Sequence, residues 1–379
     1  MLPTALAGGT LGAAPRLDAH PADRAHRIAF SHVPGIGRAR MQALLDTFGS
    51  AEAAWRAPVP ALTTVLDHRT LASLLDVRAK TNPEDLVRRL EELGIQAVLR
   101  EDPAYPQRLR RHAGAPCVLY VIGDARWLDT PSVAVVGTRR ATAYGKQATA
   151  RIVADLAAAG LTIVSGLALG IDTAAHAAAV EAGGATVAVL GCGVDVVYPR
   201  ANETLRARIA GHGALASEFP PGCPPDAGNF PSRNRIVAGL ALATVVVEAG
   251  EQSGALITAG QALDQGSDVF AVPGSIFGPQ SVGTHRLLAD GAAIARSAAD
   301  IRAALDVERA VAQRAAREVL PASPLQAAIL TQLAGEPMHI DEIGRALGVS
   351  SATLSSTLMR MEVTGMVQAI GGQRWMAGP

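Results

Sequence analysis

The sequence is poor in aromatic residues and in cysteine, and it has no excess of charge. Aromatic residues make up 3% of its 379 residues while 49% are hydrophobic, so we expect a large core of Ala, Leu and Val. The formal net charge is zero, which argues against an extended basic surface and restricts any nucleic-acid contact to a local patch. The three widely spaced cysteines, Cys117, Cys192 and Cys223, indicate free thiols in a reducing compartment.

Several signals that define other classes of protein are also missing. No uncharged apolar run is long enough for a membrane span, and residues 1–15 lack the basic start of a signal peptide. A cytoplasmic location is therefore predicted. Neither the dinucleotide fingerprint G-x-G-x-x-G nor the phosphate loop G-x-x-x-x-G-K-[ST] occurs, and no cysteines have metal-ligand spacing. We predict no bound cofactor and no metal.

A chain of this length predicts two or three domains. The predicted organisation is a disordered N-terminus at 1–20, a helical domain at 21–83, a core domain at 84–306, a linker at 307–323 and a winged-helix domain at 324–379. In the helical domain, Val33–Gly37 separates predicted helices at Arg24–Ser31 and Arg38–Phe48, which resembles a helix-hairpin-helix, or SAM-like, unit. Such a hairpin binds a DNA phosphate or serves as a packing corner, and both interpretations stay open.

The core domain alternates short apolar strands with helices. Strands are predicted at Val133–Val136, Thr162–Val164, Thr186–Leu190, Ala214–Ser217, Thr244–Val247 and Val269–Val272. Helices are predicted between them at 144–159, 171–182, 202–211, 234–242 and 256–265. This alternation predicts an α/β fold with a Rossmann-like, doubly wound and mostly parallel sheet. Right-handed crossovers place the loops that follow the strands on one edge, where we expect the functional site.

The loop after the first core strand has the composition of an anion site. Gly137, Thr138, Arg139 and Arg140 follow that strand and precede a helix start. Glycine lets a phosphate approach free backbone N–H groups, and the positive end of the helix favours an anion. A sharp turn with two solvated arginines explains the same residues, so this loop does not decide between the two interpretations.

Four further loops carry glycines, serines or charged residues at the same predicted edge. They are Ser165–Asp172, Gly191–Asp195 continuing to Pro199, Glu218–Arg235 and Glu248–Gly254. Arg139, Arg233 and Arg235 supply cations for phosphates, and Phe230 supplies a ring for base stacking. This combination predicts single-stranded nucleic acid as the ligand. A core ring packed under a loop is the alternative for Phe230.

The C-terminal region has the pattern of a winged helix. Three helices are predicted at Leu325–Leu333, Ile340–Leu347 and Ser350–Met361, followed by a hairpin of Met366–Ile370 and Arg374–Met376 around Gly371-Gly372. The third helix, which enters the major groove in DNA-binding winged helices, has Arg360 as its only cation. Residues 324–379 hold three Lys or Arg against four Asp or Glu. We therefore expect a protein contact or a weak DNA contact rather than independent duplex binding.

The core resembles the DNA-processing protein A family (DprA, also called Smf) between about Gly94 and Asp306. The resemblance is carried by Val133–Arg139, Ser165–His176, Ala188–Pro199, Ser217–Pro221, Asn229–Ile236, Val247–Thr258, Phe270–Gly274 and Ser281–Gly283. It implies a non-enzymatic protein that binds incoming single-stranded DNA during natural transformation, protects it and loads the RecA recombinase onto it. It also implies a homodimer formed through the Rossmann domain, with a single-strand-binding protein as a further candidate partner.

The same resemblance implies which residues contact DNA. They are Gly137, Thr138, Arg139, Arg140, Ser165, Gly166, Gly170, Asn229, Phe230, Arg233, Asn234, Arg235, Ser253, Gly254, Thr258, Gly283 and Arg286. One departure concerns the segment after Gly283, where the family commonly has Ser-Asn before an apolar pair. This chain has Thr284-His285-Arg286 there, so Arg286 is an alternative cation.

Two other functions fit parts of the sequence. A nucleotide phosphoribohydrolase of the related lysine-decarboxylase-like fold would use Glu248, Glu251, Asp172 or Glu218 as a general base, with Glu248 the best placed. A structural loop carboxylate explains Glu248 equally well. A transcription regulator would read promoters through the winged helix, which the nearly uncharged third helix disfavours. Asp172 and His176 lie four residues apart on one helix face, as a metal or catalytic pair would, but a structural histidine has the same pattern.

Overall fold

The structure is a computed structural model that describes residues 21–305, 323–333, 337–363 and 366–377. The predicted disordered segment 1–20 and residues 307–322 of the predicted linker lie outside the described residues. Within the described part of the chain, no helix combines the length and the apolar composition that crossing a membrane requires.

The N-terminal region is helical, as predicted. Its helices are α1 Pro21–Ser31, α2 Arg38–Phe48, α3 Ala51–Arg56, α4 Val59–Leu62, α5 His68–Lys80 and α6 Pro83–Glu92. The side chain of Asn82 accepts hydrogen bonds from the first N–H groups of α6, and Pro83 occupies a position where no donor is needed. Ile28 and Leu90 share an apolar cluster with Val118 and Tyr120, so the helices and the sheet have a common core.

A nine-stranded sheet forms the centre of the chain. Its strands are β1 Gln96–Leu99, β2 Val118–Gly123, β3 Ser132–Val136, β4 Thr162–Ser165, β5 Thr186–Val189, β6 Ala214–Ser217, β7 Ala243–Val246, β8 Asp268–Ala271 and β9 Ala293–Ile294. The spatial order is β1-β2-β6-β5-β4-β3-β7-β8-β9. The pairs β1–β2 and β2–β6 are antiparallel, and all pairs from β6 to β9 are parallel.

Helices cover both faces of the parallel part. They are α8 Ala143–Ala158, α9 Ile171–Glu181, α10 Glu203–His212, α11 Asn229–Leu240, α12 Gly254–Asp264, α13 Val282–Ala289 and α14 Ala298–Leu305, with α7 Gln107–Arg110 before β2. Because side chains alternate along a strand, Val133 and Val135 of β3 pack with α8 and α9, whereas Ala134 and Val136 pack with α11 and α12. The predicted Rossmann-like, doubly wound sheet is confirmed.

The strand order reverses direction at β3, with β4 on one side and β7 on the other. In open parallel sheets this reversal leaves a crevice at the carboxyl ends of the strands, where ligands bind. The loops after β3, β4 and β7 open into that crevice.

One predicted boundary in the core is wrong by enough to affect the site. The helix expected at 234–242 begins at Asn229, so Phe230 and Arg233 lie in its first turns and not in a loop. Asn229–Arg235 was predicted to lie in the loop that follows the fourth core strand. Pro231 is tolerated in the first turn of this helix because the first N–H groups of a helix have no intrahelical partner.

The C-terminal region is a winged helix, as predicted. Its elements are α15 Pro324–Gln332, β10 Met338–His339, α16 Ile340–Leu347, α17 Ser351–Val363, β11 Val367–Gly371 and β12 Arg374–Ala377, with sheet order β10-β12-β11. The short strand β10 was not predicted. The hairpin turn is Gly372-Gln373 and not Gly371-Gly372, because Gly371 pairs with Arg374. Both turn residues have a φ of +59°, as tight two-residue hairpins require.

Candidate nucleic-acid interface

A cleft of about 750 Å³ opens at the carboxyl ends of β3, β4 and β7, and we call it the sheet-edge cleft. The predicted residues that line it are Gly137, Thr138, Arg139, Arg140, Gly166, Phe230, Arg233, Asn234, Ser253, Gly254 and Thr258. They come from the three loops after β3, β4 and β7 and from the first turns of α11 and α12. Residues from separate segments of the chain therefore meet at this edge of the sheet.

Two aromatic rings and one guanidinium form a stack at this cleft. The rings of Tyr198 and Phe230 have centroids 5.6 Å apart and planes inclined by 29°. The Cζ atom of Arg139 lies 5.3 Å from the centroid of the Phe230 ring, within reach of a cation–π interaction. Gly191 lies under the ring, since a Cβ on it would be 2.7 Å from Cδ1 of Phe230. The arrangement offers an aromatic face and a positive charge side by side.

Tyr198 is the residue that sequence reasoning missed. It is 40% exposed and lines the sheet-edge cleft. The sequence contained a reason to include it, because Tyr198 lies in the loop after the third core strand and within the segment that carried the family resemblance. Only the structure shows that its ring meets Phe230, which is 32 positions later in the chain.

Glu248 holds the loop that carries Arg139 and Arg140. Its carboxylate accepts hydrogen bonds from the backbone N–H of Thr142 at 2.9 Å and from the Thr142 hydroxyl at 2.5 Å. The carbonyl of Glu248 accepts a further bond from the N–H of Thr138 at 2.7 Å. Glu248 is 3% exposed. The carboxylate proposed as a general base therefore has a structural function, and this geometry favours its interpretation as a loop carboxylate.

Arg233 lines the floor of the cleft and is buried, with 4% exposure. Its Nη1 donates to the carbonyl of Gly166 at 2.7 Å and to that of Val189. Burial lowers the pKa of Arg233, and the buried Asp172 carboxylate opposes that change. Burial likewise raises the pKa of Asp172, opposed first by Arg233 and then by N–H groups of Ala168 and Gly166. The guanidinium joins β4, β5 and α11 and is not presented to solvent.

Arg235 points away from the sheet-edge cleft. Its guanidinium forms a bidentate ion pair with Glu218, in which Nη1 lies 2.9 Å from Oε1 and Nη2 lies 2.6 Å from Oε2. It lines a second cavity of about 1200 Å³, which we call the hairpin groove, together with Asn229 and the N-terminal hairpin at 33–37. The three arginines predicted to converge therefore separate into Arg139 at the cleft, Arg233 beneath it and Arg235 in the neighbouring groove.

Four other predicted contact residues do not line the cleft. The Ser165 hydroxyl is buried and donates to the carbonyl of Val135 at 2.7 Å. Gly170 has a φ of +87°, and a Cβ on it would lie 2.3 Å from the Thr138 oxygen. A Cβ on Gly283 would lie 2.8 Å from the carbonyl oxygen of Ala249, in the loop after β7. Exposed Arg286 pairs with Asp290 at 3.7 Å. The two glycines permit close contact between loops, and all four residues stay predictions as DNA contacts.

Asp172 and His176 do not form a pair. The Nδ1 atom of buried His176 lies 2.7 Å from the hydroxyl of Thr186. Burial and the nearby Arg233 lower the pKa of His176 to about 3, so the ring is neutral at physiological pH. Among the residues that the structure describes, no group of His, Cys, Asp and Glu is arranged to hold a metal. The geometry identifies His176 as a structural histidine.

The fold and the cleft define the class of protein. It is a Rossmann-like α/β protein with an aromatic and cationic cleft at the sheet's carboxyl edge, followed by a winged helix. The family model for DNA recombination-mediator protein A matches residues 96–306, and the model for the DprA winged helix domain matches residues 313–373. The chain therefore belongs to the DprA family.

Individual relatives agree with this assignment. Protein Smf of Synechocystis is 32% identical and the match covers 93% of this chain and 98% of that protein. DNA processing protein DprA of Bacillus subtilis is 44% identical over 55% of this chain and 71% of its own length. The crystal structure of DprA from Streptococcus pneumoniae superposes with a TM-score of 0.65 at 33% identity, covering 75% of this chain and 98% of that one.

A second solved structure is similar over the core. It is DNA processing protein A from Helicobacter pylori, described for its single-stranded DNA binding mode. It superposes with a TM-score of 0.51 at 31% identity and covers 56% of this chain and 96% of that one.

Proposed function

We propose that this chain binds single-stranded DNA in the sheet-edge cleft, without cutting it, as a recombination mediator. The observation that carries the proposal is the stack of Arg139, Phe230 and Tyr198 at the mouth of the cleft. The similarity to a relative described for its single-stranded DNA binding supports the same ligand class.

The chemistry of the cleft suits an unpaired strand. Bases stack on aromatic rings with little sequence preference, because every base has a π face, and arginines contact the phosphates. In a duplex the bases already stack on one another and their faces are not accessible. Arg139 and Arg140 are exposed, and no salt bridge to either is found in the part of the chain that the structure describes. Their charges are available to a phosphate backbone.

The decisive experiment compares Arg139→Ala with Arg151→Ala. Both variants lose one exposed arginine, but Arg151 lies on α8 and pairs with Asp155 at 3.3 Å. Binding of fluorescein-labelled dT20 is measured by anisotropy at roughly 50 to 300 mM NaCl. This is about a sixfold range of salt concentration, from which the salt slope is obtained. Arg139→Ala is expected to weaken binding at least about tenfold and to lower the salt slope by about 0.7. Equal affinity of the two variants would refute the proposed site.

We extend the proposal to the function of the bound complex. The protein would act in the cytoplasm as a homodimer formed through the Rossmann domain, protect incoming DNA during natural transformation and load RecA onto it. A single-strand-binding protein is a further proposed partner. Two assays with purified proteins test this: nuclease resistance of bound dT60, and the RecA filament formation rate on DNA precoated with single-strand-binding protein. Arg139→Ala should lose both effects, whereas Arg151→Ala should retain them.

A further inference from the structure

The exposed aromatic residues of this protein are concentrated at one edge. The chain contains only 3 Trp, 4 Tyr and 6 Phe. Among the described residues, the aromatic side chains that are clearly exposed are Tyr144, Tyr198 and Phe277, at 50%, 40% and 90%. Tyr198 follows β5, Tyr144 is the second residue of α8, which follows β3, and Phe277 follows β8. All three therefore lie at the carboxyl edge that holds the sheet-edge cleft.

Phe277 is presented on a defined loop that is attached to the cleft. The N–H of Gly278 donates to the carbonyl of Ser275 at 3.0 Å, which makes a tight turn around Phe277. Further along the loop, the carbonyl of Gln280 accepts from the N–H of Ala249 at 2.7 Å, and Gln280 itself lines the sheet-edge cleft. The loop that exposes Phe277 is thus continuous with the wall of the cleft.

Tyr144 fixes the start of the same loop from the other side. Its hydroxyl donates to the carbonyl of Pro273 at 2.6 Å, while half of the side chain remains exposed. The hydrogen bond holds the ring of Tyr144 next to the segment that leads to Phe277. Tyr144 is therefore attached to the loop that carries Phe277.

The separation of the β-strands that precede the two aromatic groups suits one DNA strand. In the sheet order β5-β4-β3-β7-β8, four spacings of about 4.8 Å separate the strands that precede Tyr198 and Phe277, or about 19 Å in all. Arg139 and Arg140 follow the central strand β3 between them. A strand that lies along this edge meets aromatic rings at both ends and cations in the middle.

We propose that Phe277, flanked by Tyr144, is a second base-stacking site for the strand that occupies the sheet-edge cleft. The proposal rests on the proposed function, since its ligand is the same single-stranded DNA. The ligand of Phe277 is a nucleobase of the same strand, because the loop is continuous with the cleft. This nucleobase lies several nucleotides away from the one that stacks on Phe230. Strands too short to cover the edge would not reach it.

The test uses two oligonucleotide lengths, dT4 and dT20, in competition with labelled dT20. Phe277→Ala is expected to weaken binding of dT20 about fivefold to tenfold and to change binding of dT4 less than about twofold. Ile276→Ala is the matched control, because Ile276 is 80% exposed on the same loop but has no π face. It should leave both affinities unchanged. Phe277→Trp should restore binding, and its tryptophan fluorescence should be quenched by dT20 and not by dT4.

Other outcomes overturn the second site. Equal losses for dT4 and dT20, or an effect of Ile276→Ala as large as that of Phe277→Ala, would show that base stacking is not the function of Phe277. A change in molar mass by light scattering, with unchanged length dependence, would assign Phe277 to a contact with a second copy. Failure of the proposed function is distinguishable, because Arg139→Ala would then leave both lengths unaffected.

Discussion

Replacing Arg233 by methionine distinguishes a structural arginine from one that we propose to contact DNA. The buried guanidinium donates to the carbonyl oxygens of Gly166 and Val189 and faces the buried carboxylate of Asp172. Methionine fills a similar volume but leaves those oxygens without that donor and the carboxylate without its counter-charge. Breaking a buried charge pair by removing one partner costs about 3–5 kcal/mol.

The expected loss is large enough to measure by thermal unfolding. For a domain of about 150–250 residues, each kcal/mol shifts the midpoint by roughly 2–4 °C, so Arg233→Met should lower it by at least about 6 °C. Arg139→Ala should leave the midpoint nearly unchanged, because that guanidinium is exposed. Adding Asp172→Asn to Arg233→Met should recover part of the loss, since no uncompensated carboxylate remains.

DNA binding gives the second measurement. Folded Arg233→Met, assayed well below its midpoint, should retain the salt slope of the wild type, because we expect a guanidinium that is buried and bonded within the protein to make no phosphate contact. The reasoning is refuted if Arg233→Met unfolds within about 2 °C of the wild type. It is also refuted if the substitution lowers the salt slope as Arg139→Ala is expected to do.

Two further predictions concern the cleft and its support. Gly191→Ala should displace the Phe230 ring, which would lie 2.7 Å from the new Cβ, and weaken dT20 binding about tenfold. Gly211→Ala, with nothing within 4 Å, is its control, and equal affinities would contradict the stacking role. Because the pKa of His176 is lowered in the folded state, its contribution to stability is complete above pH 6.5 and is lost as pH falls towards 3. Between pH 6.5 and 5 the loss of unfolding free energy is about 2 kcal/mol, so the urea midpoint of the wild type should fall. The midpoint of His176→Asn should fall less. An identical pH dependence of the two proteins would contradict this prediction.

Much of the fold could be predicted from local patterns. Val133–Val136 is a continuous apolar run followed by glycine, and the same pattern recurs along the core with helices between, which is sufficient for a parallel sheet and its functional edge. The error at α11 concerns its first turns, which were predicted to belong to the preceding loop. Pro231 is compatible with the helix, because it occupies the first turn, where its missing N–H costs nothing.

That error determined which arginines were assigned to the cleft. From a helix start at Asn229, about 100° of rotation per residue puts Phe230, Arg233 and Asn234 on one face. Arg235 is about 140° away from Phe230 and faces the hairpin groove. A correct helix start would have separated the arginines from the sequence alone.

The order of strands and helices, the edge at which their loops meet and the family of the chain could all be read from the amino-acid sequence. These properties depend on periodicity and on turn residues, which are local. The folded structure was needed to show that Arg139 is exposed over Phe230, that Arg233 is buried near Asp172 and that Arg235 is paired with Glu218. The physical reason is that the availability of a charge depends on burial and on counter-charges, and these come from residues far away along the chain.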